Sequence, residues 1–216
     1  DANNNVAIGY ESLDANTTGQ NNTAIGTWSL TANTTGTNNV AVGKSAALAA
    51  TTSAGNVVIG VEAVKTGVFT GTNNVVIGKL AGEDLTSADA NVIIGEDAGR
   101  NQTTADNNVL IGQGAGEANT TGASNTVVGQ AALTANTTGN FNVGIGRFAL
   151  AANTTAAENT AIGYAALEAN TTGTSNAALG AYALDSNTTA DNNTAVGYNA
   201  LTANTTGADN VAIGKG

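Results

Sequence analysis

The residues that most often carry chemistry are missing or scattered in this chain. It has no histidine and no cysteine, so neither nucleophilic triads based on them nor thiolate and imidazole zinc sites can be assembled. Its carboxylates fall at different positions along the chain, and no pair is singled out for acid/base work in a cleft. Val42-Gly43-Lys44-Ser45 ends like a phosphate-binding loop, but Asn38 stands where that loop needs its first glycine. Gly112-Gln113-Gly114-Ala115-Gly116 likewise falls short of a dinucleotide fingerprint. We therefore expect no catalysis, no cofactor and no bound metal. Asp89, Asp106 and Asp191 recur at one position and are the best calcium candidates, but the glycine pattern of calcium β-rolls is absent. Asn16, Asn33, Asn119, Asn136, Asn153, Asn170, Asn187 and Asn204 each open an Asn-Thr-Thr triplet. The triplet fits a glycosylation acceptor, and it fits equally a turn that is simply repeated.

Repetition is the dominant feature. Glycines at 9, 26, 43, 60, 78, 95, 112, 129, 146, 163, 180, 197 and 214 are 17 residues apart, with one interval of 18 between Gly60 and Gly78. With each glycine as position zero, position −4 is always asparagine: Asn5, Asn22, Asn39, Asn56, Asn74, Asn91, Asn108, Asn125, Asn142, Asn159, Asn176, Asn193 and Asn210. A fixed period of this length marks stacked units that bury a continuous core. Positions −3 to −1 are short, aliphatic and bracketed by Asn and Gly, which predicts a strand. A second extended segment is expected near +2 to +6. Two short strands and two turns per repeat make one coil of an all-β parallel β-solenoid. About 13 coils then form a single domain over 1–216, a rod roughly 58 Å long at about 4.8 Å per coil. Stacking places the −4 asparagines over one another, where their amides can form a ladder.

The strand pattern adds a constraint. Positions −3 and −1 face one way and −2 the other, and both sets are apolar. A thin coil has one interior, so the second face calls for another subunit. At +4 most coils carry leucine, but Gly82, Gly99 and Gly116 replace it in coils whose −2 residue is enlarged to Val76, Ile93 and Leu110. Volume lost at one position returns at the other, so −2 and +4 should share one space. Ile94→Asp is accordingly expected to destroy folding, and Tyr164→Ala to leave it intact. The extra residue of the long repeat is expected in a turn around Lys65–Gly71. Tyr10, Trp28, Phe148, Tyr164, Tyr182 and Tyr198 follow the anchor glycine, as do Lys44, Lys79, Arg147 and Lys215, forming either a glycan-binding edge or scattered corner residues and interface fillers.

Composition limits the partners. The net charge of −10 and six unclustered basic residues exclude a phosphate-binding patch, so no nucleic acid is expected. No apolar run approaches the length of a membrane-spanning helix, so no direct membrane insertion is expected. Hydrophobic residues make up 41% of the chain and fall in strict phase, which argues against disorder. The chain opens at Asp1 without a methionine or signal segment and reads as a mature or excerpted segment.

The cores Asn22-Thr23-Ala24-Ile25-Gly26 and Asn159-Thr160-Ala161-Ile162-Gly163 resemble the head repeat of YadA-like trimeric autotransporter adhesins. The longer unit Asn193–Gly207 is similar to repeats in bacteriophage tail fibres and large bacterial surface proteins. The resemblance implies a left-handed β-roll, a homotrimer and an extracellular place on a cell surface or virion fibre. It also implies attachment, with a host-surface glycan or protein as partner. The alternatives are a subunit of a filament joined end to end and an ice- or glycan-binding solenoid. Adjacent threonines on opposite sides disfavour the ice-binding form, which needs outward threonines at every second residue.

Overall fold

The computed structural model describes residues 2–216. Every repeat contributes one three-residue strand that ends just before its anchor glycine. The chain divides into two compact units, Asp1–Asn107 and Asn108–Gly216. The first carries β1 (Val6–Ile8), β2 (Thr23–Ile25), β3 (Val40–Val42), β4 (Val57–Ile59), β5 (Val75–Ile77) and β6 (Val92–Ile94). The second carries β7 (Val109–Ile111), β8 (Thr126–Val128), β9 (Val143–Ile145), β10 (Thr160–Ile162), β11 (Ala177–Leu179), β12 (Thr194–Val196) and β13 (Val211–Ile213). Within each unit, consecutive strands pair in parallel and in repeat register, as in Thr23↔Val40 and Thr160↔Ala177. The all-β parallel solenoid with a 17-residue coil is therefore the observed fold, and the described residues include no helix.

The second strand expected at +2 to +6 is not there. That stretch is a continuous turn in which +2 and +4 both take left-handed backbone angles, as at Trp28 (φ 61°) and Leu30 (φ 49°). Position +12 is left-handed as well, as at Asn38 (φ 59°). Sequence reasoning misses the first two because the residues there are often leucine or aromatic, which visit this region at a cost of roughly 1–2 kcal/mol. At +4, full burial of the leucine returns roughly 1.5–3 kcal/mol, which offsets that residue's own cost. The turn still bonds between coils. The amide of Trp28 donates to Tyr10, that of Leu30 to Ala46 and that of Ala32 to Leu48. Backbone bonds thus link successive coils around their circumference and not only at the strands.

The interior is narrow. Position −2 is buried, as Ala24, Ala41, Ile93, Leu110 and Ala161 show, and +4 is buried with it at Leu30, Leu150 and Leu167. Volume exchange between these positions is direct. A Cβ on Gly116 would lie 2.9 Å from Leu110 Cδ2, whereas at Gly82 the space is taken chiefly by Leu85, whose Cδ1 would lie 2.7 Å from a Cβ, with Val76 Cγ1 at 3.4 Å. The extra residue of the long repeat sits in the turn at Thr66–Gly71, where Phe69 swings fully into the core. The outward side of the strand carries −1 and −3. Ile94 lies on that side and is half-buried, whereas Ile93 is completely buried. The folding expectation for Ile94→Asp is corrected accordingly. A charge at Ile93 breaks the core, and one at Ile94 alters the outer face.

The −2/+4 exchange can be measured. Leu110→Ala should cost about 2–5 kcal/mol through the cavity it leaves, and Gly116→Leu alone should destabilise through its clash with Leu110. The double variant rebuilds the Ala/Leu pairing of most coils and should recover most of both losses. Denaturant unfolding of the four proteins gives the coupling energy, and simple additivity would refute shared space.

Candidate functional site

Three lateral features of the coil could carry function: the polar ladders, the outward strand face and the aromatic edge. The −4 asparagines form a ladder at the strand entrance. Asn39 Oδ1 accepts from the backbone amide of Asn56 at 3.0 Å and from its Nδ2 at 3.2 Å. Asn39 Nδ2 donates to Asn22 Oδ1 at 3.2 Å and to the Ser53 carbonyl at 2.7 Å. The same pattern runs through Asn125, Asn142 and Asn159 in the second unit. Only an uncharged side chain with an acceptor and a two-proton donor serves both neighbours, which explains why no other residue occupies this position.

The Asn-Thr-Thr triplets make a second ladder, which the sequence suggested only as a turn ladder. Asn136 Nδ2 donates to Asn119 Oδ1 at 2.8 Å and to the Gly139 carbonyl at 3.0 Å, and Asn153, Asn170, Asn187 and Asn204 continue the series. Asn33, Asn119, Asn136, Asn153, Asn170 and Asn187 are buried, and Asn16 and Asn204 are half-buried. In the folded coil a glycan on any of the six buried amides has no room and would break two hydrogen bonds. The first threonine of the triplet donates its hydroxyl to the next coil, as from Thr137 to the Thr154 carbonyl at 3.0 Å. The second is exposed in every triplet, and in those at Asn16 and Asn204 the first, Thr17 or Thr205, is exposed as well. The ladder stops where Ala50 replaces asparagine, and Asn33 Oδ1 is left buried without a partner.

The calcium candidates are occupied by the backbone. Asp89 Oδ1 accepts from the Thr72 amide at 2.6 Å, Asp106 Oδ1 from the Asp89 amide at 2.7 Å and Asp191 Oδ1 from the Thr174 amide at 2.6 Å. Among the described residues no three His, Cys, Asp or Glu side chains converge as a metal site, and no helix is long and apolar enough to cross a membrane.

The outward strand face is aliphatic and uncovered. Ile25 is 36% exposed, Ile145 37% and Leu179 48%. Beside the anchor glycines of the second unit runs an aromatic row. Phe148 meets Tyr164 at 6.1 Å, Tyr164 meets Tyr182 at 5.2 Å, and Tyr182 meets Tyr198 at 6.1 Å, all edge to face. The rings alternate between +2 and +1, with spacings of 16, 18 and 16 residues. This alternation offsets each ring from its neighbours and permits the edge-to-face contacts favoured by the ring quadrupole. It was visible in the sequence, but its geometry was not. An open groove of about 290 Å³ borders the row, lined by Tyr182, Asp185, Tyr198, Asn199 and Thr202. A second open groove of about 540 Å³ adjoins it, lined by Ala151, Ala152, Glu168, Ala169 and Asp185. In the first unit Trp28 donates to Glu11 at 2.9 Å, and Lys44 lies 5.8 Å over its ring. Comparison with protein-family models gives no match, and a search of curated proteins gives none either.

Two measurements follow from this geometry. Asn142→Ala leaves the buried Asn159 amide without its acceptor and takes one of two donors from the Ala156 carbonyl, which keeps Asn153. Its unfolding free energy should fall by roughly 1–3 kcal/mol for the orphaned amide, and a loss under about 0.5 kcal/mol would show that the ladder contributes little. The phenol of Tyr182 is held above its ordinary pKa by partial burial first, then by Tyr164, Tyr198 and Glu168. Its neutral form is favoured in the fold, so the stability this adds is full below the unfolded value of about 10 and is lost as pH rises through the folded value. The Tyr10 phenol is also raised, first by its hydrogen bond to Glu11, so ultraviolet titration should show two late-ionising phenols in the wild type and one in Tyr182→Phe.

Proposed function

We propose that this chain is a non-catalytic structural module of an extracellular fibre with an adhesive role, of the kind found in bacterial surface adhesins or phage tail fibres. The observation that carries the reading is the uncovered aliphatic side of the strands, repeated in register from coil to coil. Parallel strands are ordinarily covered on both faces. Here −2 fills the coil interior, while Ile145, Leu179 and their counterparts in other coils face outward. A stripe of this kind fits the same stripe on other copies of the chain, and the adhesin-like Asn-x-Ala-Ile-Gly repeat favours three copies arranged as a left-handed roll. The ladders suit a mechanical role, because each coil supplies hydrogen bonds that only its neighbours can complete. Small side chains, repeated polar ladders and the lack of histidine and cysteine favour scaffolding over catalysis.

Light scattering on the whole chain tests the assembly. A particle of three chains is expected. Ile145→Asp combined with Leu179→Asp should yield single chains whose circular dichroism still matches the wild type, because both residues lie outside the coil core. A wild-type chain that stays single at high concentration would overturn the proposal. Concentration-dependent polymers would replace the trimer with an end-to-end filament.

A further inference from the structure

We propose that the edge formed by Tyr164, Tyr182 and Tyr198 with Glu168 and Asp185 binds the cationic side chains of an extended, arginine-bearing segment of a partner protein. This deepens the adhesive reading and rests on it for its biological role, since it names the chemistry that would be held.

In the first unit, several carboxylates beside the anchor glycines and at +5 are matched by cations of the chain itself, whereas Glu11 and Asp14 form no ion pair among the described residues. Glu62 meets Lys65 at 3.1 Å, Glu96 meets Lys79 at 3.2 Å and Glu83 meets Arg100 at 2.8 Å. Glu168 and Asp185 occupy +5 in the second unit, and among the described residues neither forms an ion pair. The second unit has only two basic residues, Arg147 and Lys215. Glu168 and Asp185, unlike Glu62, Glu83 and Glu96, have no cation of the chain paired with them and are open to one from a partner.

The aromatic row indicates which cation fits. At its first ring the row already holds one, because the guanidinium of Arg147 lies 4.4 Å over Phe148. The next three rings have no cation stacked on them among the described residues, and Tyr164 and Tyr198 are 41% and 50% exposed. Their quadrupoles attract a cation, and a planar guanidinium stacks on them better than an ammonium does. The two grooves meet at Asp185, so a segment laid along them would pass from tyrosine rings to two carboxylates. Thr202 Oγ1 donates to Asp185 Oδ1 at 2.6 Å and holds that carboxylate at the groove wall. An anionic ligand would meet two like charges here.

Calorimetric titration of the whole chain with an oligoarginine peptide at about 0.15 M salt tests the proposal, with oligoglutamate and a neutral oligosaccharide as comparators. The arginine peptide alone should bind. Glu168→Gln with Asp185→Asn should weaken it about tenfold or more, and Tyr182→Leu with Tyr198→Leu should weaken it several-fold. Glu158→Gln with Asp209→Asn makes the same charge change on another edge and should leave affinity within about twofold. Equal weakening by that control pair would reduce the effect to general acidity and overturn the site. So would binding of the oligosaccharide in place of the peptide, or tyrosine variants that bind normally. Chain mass is followed in the same samples. A change of mass in the tyrosine variants would make the row a contact between copies and overturn the proposal. Peptide binding by a chain that is not trimeric would keep this site and remove the trimer.

Discussion

Successive coils approach so closely at the anchor glycine that no side chain fits between them. At Gly43 the backbone takes φ +135°, and a Cβ there would lie 2.5 Å from the Gly60 carbonyl oxygen. The conformation and the contact each require glycine, and together they fix one corner of the coil. Everything else is phased from that corner. The strand ends one residue before it, and the left-handed turn residues begin two residues after it. The −4 asparagine is thereby set at the opposite end of a three-residue strand, over its counterpart in the next coil.

The coil gains little from its strand alone, because three residues bury little surface. It is held by what continues into its neighbours. Two asparagine ladders, the threonine hydroxyls and backbone bonds spread around the turns all cross between coils. Within the coil, the −2 and +4 side chains share a volume that can be divided in more than one way. The trade between leucine with alanine and glycine with leucine follows from a space too narrow for two large residues and too costly to leave empty. Where the second ladder is interrupted, Phe69 and Leu85 bring apolar volume instead, and one buried amide oxygen goes unpaired beside the gap.

Function on such a scaffold lies in what the repeat leaves outside. The strand exposes an aliphatic row, and the corner beside the glycine exposes residues that vary freely. In the first unit that corner is filled by ion pairs, and in the second by stacked rings with carboxylates beside them. An invariant frame with one variable edge separates stability from recognition, because substitutions at +1, +2 and +5 leave both ladders and the −2/+4 core untouched.

The repeat made much of this legible without coordinates. Asparagine at −4 in every copy, glycine at zero and a two-sided apolar triplet could only mean stacked parallel strands with a shared amide ladder. The compensation between Gly116 and Leu110 disclosed a contact directly, since volume must be conserved in a closed core. The path of the chain from +2 to +6 was not legible. Leucine and tryptophan do not announce a left-handed backbone; burial inside the coil accounts for it at Leu30, and at the exposed Trp28 it accompanies the backbone bond to Tyr10 of the preceding coil. Which apolar face lies inside the coil also needed the tertiary structure, because alternation along a strand separates two faces without naming either. The roles of Asn136 and its equivalents were settled in the same way. A triplet that reads as an acceptor on the surface becomes a buried ladder once coils stack, because the next coil, 17 residues away, occupies the space a modification would need.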